Sequence, residues 1–447
     1  MDTPICDFVK EYAQSNTLRL HMPGHKGKEL LGIEHLDITE IKGADSLYEA
    51  SDVIAKSEEN ASKIFGCKTF YSTEGSSQCI RAMLYLVSLY AKKQDKKPLI
   101  AAGRNAHKAF LTAVAMLDVE VCWLYQAKDE SYLSCELTPD DIEEYLKNAT
   151  EKPVAVYLTS PDYLGNVLDV QAIKEVCQKH DVLLIVDNAH GAYLKFLPNS
   201  LHPIDLGADM CCDSAHKTLP VLTGGAYLHL SKKLNALFGN QAKTALALFG
   251  STSPSYLILQ SLDNANKYLE GYSAQLKEFV LQVDALKKRL KKCGFVLHGN
   301  EPLKLTVYAK PYGYTGEQLA ELLRSRQIEP EFADPDYLVM MLSCELDNNV
   351  LLRIEEAFCQ ILPKAPILEQ MPCFKKAKKV LDIREAMLAC TEVLPIEQCA
   401  GRILAMPSVA CPPAVPILVC GEQIDEHVIE CFKYYGSTHC VVCVNKT

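Results

Sequence analysis

Six short apolar runs recur through the first half of the chain, at residues 98–102, 119–125, 154–159, 182–186, 208–212 and 226–230. They are nearly continuous rather than alternating, so each reads as a strand covered on both faces. Amphipathic helices fall between several of them. One opens at Thr138-Pro-Asp-Asp141, where Thr can cap, Pro suits the first turn and the acids sit at the positive helix end. Another spans Val170–Lys179. This alternation predicts an α/β fold with a mostly parallel sheet covered on both sides. Ligands of such sheets collect beyond the carboxyl ends of the strands.

Two of the runs end in reactive groups. Val182-Leu-Leu-Ile-Val186 leads into Asp187-Asn-Ala-His190, and the run at 208–212 leads into Asp213-Ser-Ala-His-Lys-Thr-Leu219. An aspartate and a lysine delivered to one sheet edge suit pyridoxal 5'-phosphate (PLP). The Lys217 amine would form a Schiff base with the cofactor aldehyde, and Asp187 would keep the pyridine nitrogen protonated so that the ring accepts electrons. The plainer alternative makes Lys217 one more solvated lysine. The segment Thr73-Glu-Gly-Ser-Ser-Gln78 precedes a helix expected over 76–93. A glycine turn at a helix start offers N–H groups to a phosphate, which makes Gly75 and Ser76 candidates. An ordinary capped helix is the competing reading.

At 447 residues the chain has room for two or three domains. The expected division is an N-terminal arm at 1–50, a PLP-binding large domain at 51–294, a small α+β domain at 295–363 and a C-terminal domain at 364–447. A further helix is expected at 55–65, one long helical stretch at 254–293, a linker at 364–380 and a helix at 382–390. The net charge of −10 is dispersed, and no basic stripe points to nucleic acid. No apolar run is long enough to span a bilayer. The opening Met-Asp-Thr-Pro-Ile-Cys has no export pattern, so a cytoplasmic protein is expected. The 19 cysteines then read as reduced, buried small residues. His439 and Cys440-Val-Val-Cys443 form only half of a zinc pattern, and no metal is expected.

Several segments line up in one order: His21-Met-Pro-Gly-His-Lys-Gly27, Asp37-Ile-Thr-Glu40, Arg104-Asn-Ala-His-Lys108, Thr159-Ser-Pro161, Asp187-x-Ala-His-Gly191, Ser214-x-His-Lys217, Ser251-Thr-Ser-Pro-Ser-Tyr256, Ala400-Gly-Arg402 and Pro412-Pro413…Gly421-Glu422. With these the chain resembles the short form of the fold-type I, PLP-dependent ornithine/lysine/arginine decarboxylases, over about residues 18–425. The resemblance implies an aminotransferase-like large domain with small α+β C-terminal domains. It implies that His107 stacks on the pyridine ring, with Ala189 against the opposite face, and that Ser214 and His216 contact the phosphate. His190 would orient cofactor or substrate. Ser253 and Tyr256 would reach the phosphate of a neighbouring subunit, giving a homodimer or larger homo-oligomer with shared active sites; a capped helix start at Ser253-Pro254 is the local alternative.

The reaction implied is decarboxylation of a basic amino acid, arginine first and then lysine or ornithine, to an amine used in polyamine synthesis. Lys217, His107, Asp187 and His216 would be its catalytic residues, with His216 or Lys217 returning a proton to Cα. Glu422 is a candidate for holding the basic end of the substrate, against a solvated turn acid. Arg353 is a candidate for its carboxylate, against a solvated helix arginine. The chain departs from the family pattern at Glu74, usually Thr or Ser and here expected to turn from the phosphate. It departs also at Tyr193, often His, and at Cys411 to Pro416 and Cys420-Gly-Glu422. Two other readings stay open. One is an aminotransferase or another amino-acid lyase, which His107 argues against. The other is a catalytically silent decarboxylase-like regulator, which the presence of Lys217 argues against.

Overall fold

The computed structural model describes residues 1–127, 131–373, 376–407 and 413–444. Its strands are β1 (Lys68–Ser72), β2 (Leu99–Gly103), β3 (Glu120–Leu124), β4 (Ala155–Thr159), β5 (Leu183–Asp187), β6 (Met210–Asp213), β7 (Ala226–Leu230), β8 (Val296–His298), β9 (Lys304–Tyr308), β10 (Phe332–Ala333), β11 (Tyr337–Met341), β12 (Thr391–Pro395) and β13 (His439–Cys443). All six apolar runs are strands, β2 to β7. The chain forms two compact units: residues 1–96, 154–157 and 170–277, and residues 97–153, 158–169 and 278–447. This division differs from the one expected in sequence. Residues 97–153 group with the C-terminal part, because contacts rather than chain order define a unit.

In the first unit the strand order is β1-β7-β6-β5-β4. β5 and β6 run parallel, whereas β7 is antiparallel to both β6 and β1. β1 was not expected. Gly66, in the left-handed region at φ 71°, ends the helix Val53–Phe65 and turns the chain into it. The first residues are also more than an arm. They open with a helix, Pro4–Gln14, whose Ile5 and Val9 are fully buried. The Ile5 and Cys6 amides both donate to Asp263 Oδ2 at 2.9 Å. The stretch 254–293 is two helices, Tyr256–Tyr268 and Tyr272–Lys292. The break falls at Gly271, a residue with low helix propensity.

In the second unit β2 pairs in parallel with β3. A four-stranded antiparallel sheet has the order β10-β11-β9-β8, and β12 pairs with β13. Capped helices flank these sheets: Gly316–Arg324, with the Thr315/Gln318 capping box, and Asn348–Cys359, capped by Asp347. Leu404, Ile417, Ile424, Phe432 and Val442 form the core of the C-terminal segment. Cys293 and Cys359 form a disulfide with Cα atoms 5.9 Å apart, which corrects the expectation that all cysteines are reduced. The helix ends that carry them are 66 residues apart in sequence, so no local pattern announces the pair. The other described cysteines are free and mostly buried. No helix among the described residues is long and apolar enough to cross a membrane.

Candidate active site

The carboxyl ends of β5 and β6 lie side by side, and each carries one half of the site. β5 ends on Asp187, which is 2 % exposed. Its Oδ2 accepts the Tyr157 hydroxyl at 3.2 Å, and its Oδ1 accepts the Ala189 amide at 3.2 Å. Burial raises the Asp187 carboxyl above the usual range, although the nearby Lys217 charge and these hydrogen bonds oppose the shift. Such a carboxyl is stabilised by a further cationic donor. Tyr157, on β4, is a site residue that sequence reasoning missed. It sits inside an apolar run, where a tyrosine carries no distinguishing signal.

β6 ends on Asp213, and the short helix Ala215–Thr218 follows at once. Asp213 clamps the two strand ends. Its Oδ1 accepts Asn188 Nδ2 at 2.6 Å, and its Oδ2 lies 3.0 Å from Nε2 of both His202 and His229. Burial disfavours its charge, but the two imidazoles outweigh burial and hold the carboxyl well below the usual range. Lys217 is thereby presented on a rigid support. Its Nζ lies 2.9 Å from Nε2 of His190, which belongs to the loop after β5. His190, which the resemblance gave an orienting role, thus touches the candidate Schiff-base amine. Replacing His190 by leucine removes a hydrogen bond to a charged group, about 1.5–3 kcal/mol, so kcat should fall roughly ten- to a hundredfold. His190→Gln should recover part of the loss, and steady-state kinetics on PLP-loaded enzyme checks both.

Gly75 opens the helix Gly75–Lys93 at φ 71°, a conformation that favours glycine. Its own N–H is committed to Gly224 O at 2.7 Å. The amides of Ser76 and Ser77 are the ones the first helical turn leaves without an intrahelical acceptor. The Ser214 hydroxyl donates to the Ser76 hydroxyl at 2.8 Å, so two candidate phosphate contacts from distant segments meet. His216 places Nδ1 3.0 Å from Gly225 O. Its ring is held below the ordinary histidine range by burial first and by the Lys217 charge, with the Gly225 bond opposing. Glu74 is turned onto the Ser251 amide at 2.5 Å. Tyr193 is fully buried. His25 and Asp37, from two motifs without an assigned role, pair at 3.2 Å.

Some expectations change. Ser255, not Ser253, caps the helix Tyr256–Tyr268. Tyr256 is buried, and its hydroxyl donates to Asp45 O at 2.8 Å within its own unit; Ser253 is exposed. In the second unit His107 caps the helix Lys108–Leu117, its Nδ1 accepting the Ala109 amide at 3.1 Å. Glu422 is no solvated turn acid. It is 5 % exposed, lies 3.2 Å from Arg104 and accepts the Val419 amide at 2.8 Å. Arg353 donates to the carbonyls of Arg326 and Gln327, a structural role at a helix end rather than a carboxylate clamp. Cys411 and Pro412 lie outside the described residues.

Residues 3–307 match the family described as the Orn/Lys/Arg decarboxylase major domain. The chain belongs to that family. Residues 373–439 match its C-terminal domain as well. Among curated relatives, this decarboxylase-family chain is 29 % identical to an arginine decarboxylase of Bacillus subtilis, over 96 % of the chain and 92 % of that protein. It is 25 % identical to the constitutive lysine decarboxylase of Escherichia coli, over 55 % of the chain and 34 % of that protein. Among solved structures, the lysine decarboxylase of Francisella novicida superposes with a TM-score of 0.81 at 17 % identity, covering 99 % of the chain and 81 % of that protein. The fold is that of PLP fold-type I enzymes, and PLP is the family's cofactor. The residues present fit it. A buried carboxyl in want of a cationic donor suits the pyridinium, the Lys217 amine suits the aldehyde, and the hydroxyls of Ser76 and Ser214 at a helix start suit the phosphate. The function class is PLP-dependent decarboxylation of a basic amino acid.

Proposed function

We propose that the substrate is arginine, converted to agmatine. The observation that carries this choice is coverage: the relative named arginine decarboxylase matches along nearly the whole chain, whereas the relative named lysine decarboxylase matches over 55 % of it. PLP, when bound, supplies an electron sink for the pair left by departing CO2. Lys217 supplies the amine that anchors the cofactor. Asp187 keeps the ring nitrogen protonated, and Tyr157 and the Ala189 amide hold that carboxylate in orientation. His190 positions the Lys217 amine and exchanges a proton with it. The Nδ1 proton of His216 is committed to Gly225 O, and its ring stays neutral, so its Nε2 carries a lone pair and no proton to give. Return of the proton to Cα therefore falls to Lys217 rather than His216. Gly75, Ser76 and Ser214 form the phosphate cup, with Ser76 and Ser214 as its side-chain donors. His107 and Ala189 flank the ring.

Arg104 already neutralises Glu422, so Glu422 acts by shaping the substrate end through that pair rather than as a free counter-ion. Ser253, exposed beside the helix start, would serve a neighbouring subunit in a homodimer with shared sites. Incubation of the purified protein with PLP and each of arginine, lysine and ornithine, measuring CO2 and amine, tests the reading. Arginine should give a kcat/KM at least roughly tenfold above the others, worth about 1.4 kcal/mol of discrimination. A preference for lysine or ornithine would reassign the substrate, and release from none would return the chain to the silent-regulator reading.

A further inference from the structure

A cavity of about 620 Å³ in the second unit is bordered by the acids Glu317, Glu331 and Asp334 and by the rings of Tyr132, Phe332 and Tyr435. Its size is that of a small-molecule site. Asp334 lies in the tight turn between β10 and β11 and is 5 % exposed. Its Oδ1 accepts the amides of Asp336 at 2.8 Å and Tyr337 at 2.6 Å. Its Oδ2 is buried without a hydrogen-bond partner among the described residues.

The contrast with Asp336, two residues on, is informative. That carboxylate is also buried, and its Oδ2 likewise has no hydrogen-bond partner among the described residues, but its Oδ1 has the Lys310 ammonium at 3.0 Å and the Tyr434 hydroxyl at 2.9 Å. Asp334 has no ion pair among the described residues. Burial, partly offset by the two amides and reinforced by the charges of Asp336 and Glu317, pushes its carboxyl up to about 7. That is how a carboxyl behaves when its counter-cation is not supplied by the chain. The Tyr435 hydroxyl is likewise buried without a hydrogen-bond partner among the described residues, and its ring packs edge-on against Tyr132 at 4.7 Å. Arg324 also borders the cavity, but its guanidinium is committed to Glu321 at 2.6 Å and Glu329 at 2.8 Å.

We propose that this cavity binds an aliphatic cation ending in an ammonium or guanidinium group and bearing no carboxylate, with Asp334 as its counter-ion and the Tyr132 and Tyr435 rings along its chain. Aromatic faces attract such cations, and a buried acid pairs with them as Lys310 pairs with Asp336. Three acids and the exposed His439 border the cavity, and its one arginine is already matched, so the carboxylate of an intact amino acid would meet three like charges. An organic cation without a carboxylate is what remains when a basic amino acid loses CO2. The identity of the ligand as the enzyme's product class therefore rests on the decarboxylase reading, while the existence of the cation site does not.

Equilibrium dialysis of radiolabelled agmatine against the PLP holoenzyme tests this. Wild type should bind agmatine at a component that Asp334→Asn removes, with kcat unchanged at low product. Glu317→Gln, a surface change that spares the turn, should weaken the same component about tenfold. D-arginine, which keeps the guanidinium and adds a carboxylate, should displace it at least tenfold less well than agmatine. Identical binding by wild type and both variants would overturn the site. Equal displacement by D-arginine would overturn the exclusion of carboxylates. If the decarboxylase reading is the one at fault, agmatine formation fails while the Asp334-dependent binding persists, so the two failures are distinguishable.

Discussion

Lys217→Ala is expected to abolish decarboxylation and the visible absorbance of lysine-bound PLP together. The amine at 217 is the group that the rest of the site supports. The Asp213 clamp holds the segment, and His190 holds Nζ at 2.9 Å. On the proposed mechanism, loss of the amine would remove covalent anchoring of the cofactor and the proton donor to Cα at once. The second of these alone is worth about 10²–10⁴-fold, so kcat should fall by ~10⁴-fold or more. Absorbance spectra of PLP-reconstituted wild type and variant, read beside CO2 release, check this. Full activity in the variant would remove Lys217 from the chemistry. Added methylamine should restore a measurable fraction, which a merely structural lysine would not allow.

Asp187→Asn is expected to spare PLP binding in part and to lower kcat by roughly 10²–10³-fold, about 2.7–4 kcal/mol. The asparagine keeps the shape; its one carbonyl oxygen can still accept the Ala189 amide, while its NH2 faces the Tyr157 hydroxyl, whose oxygen can accept. The variant loses the charge that, on the proposed mechanism, would keep a proton on the ring nitrogen. The buried setting makes the charge decisive. Burial already raises the Asp187 carboxyl, and the Lys217 charge leads the interactions that oppose that shift, ahead of the hydrogen bonds. The measurement is a split between PLP content, retained, and kcat, lost. Equal loss of both would mark Asp187 as a scaffold residue.

Much of the first unit was legible in the chain. The runs at 182–186 and 208–212 became β5 and β6 with Asp187 and the Lys217 segment at their ends, because continuous apolar character in short windows is itself the strand signal. The helix at Val170–Lys179 and the Thr138/Asp141 capping box were readable for the same local reason. β1 was not, since Lys68-Thr-Phe-Tyr-Ser72 mixes polar and apolar residues and is a strand through its pairing with β7. Glu422 reads as a turn acid until the fold sets Arg104 beside it, 318 residues away in sequence.

By itself the sequence determined the alternation of strands and helices, the order of the motifs and the arrival of an aspartate and a lysine at strand ends, because each of these is written in adjacent residues. The tertiary structure alone decided that Tyr157 would grip Asp187, that His190 would touch Lys217, that Cys293 would meet Cys359 and that Asp334 would have no ion pair among the described residues. Those outcomes depend on which loops the sheet brings together and on how completely water is excluded there. Neither can be read from a window of chain.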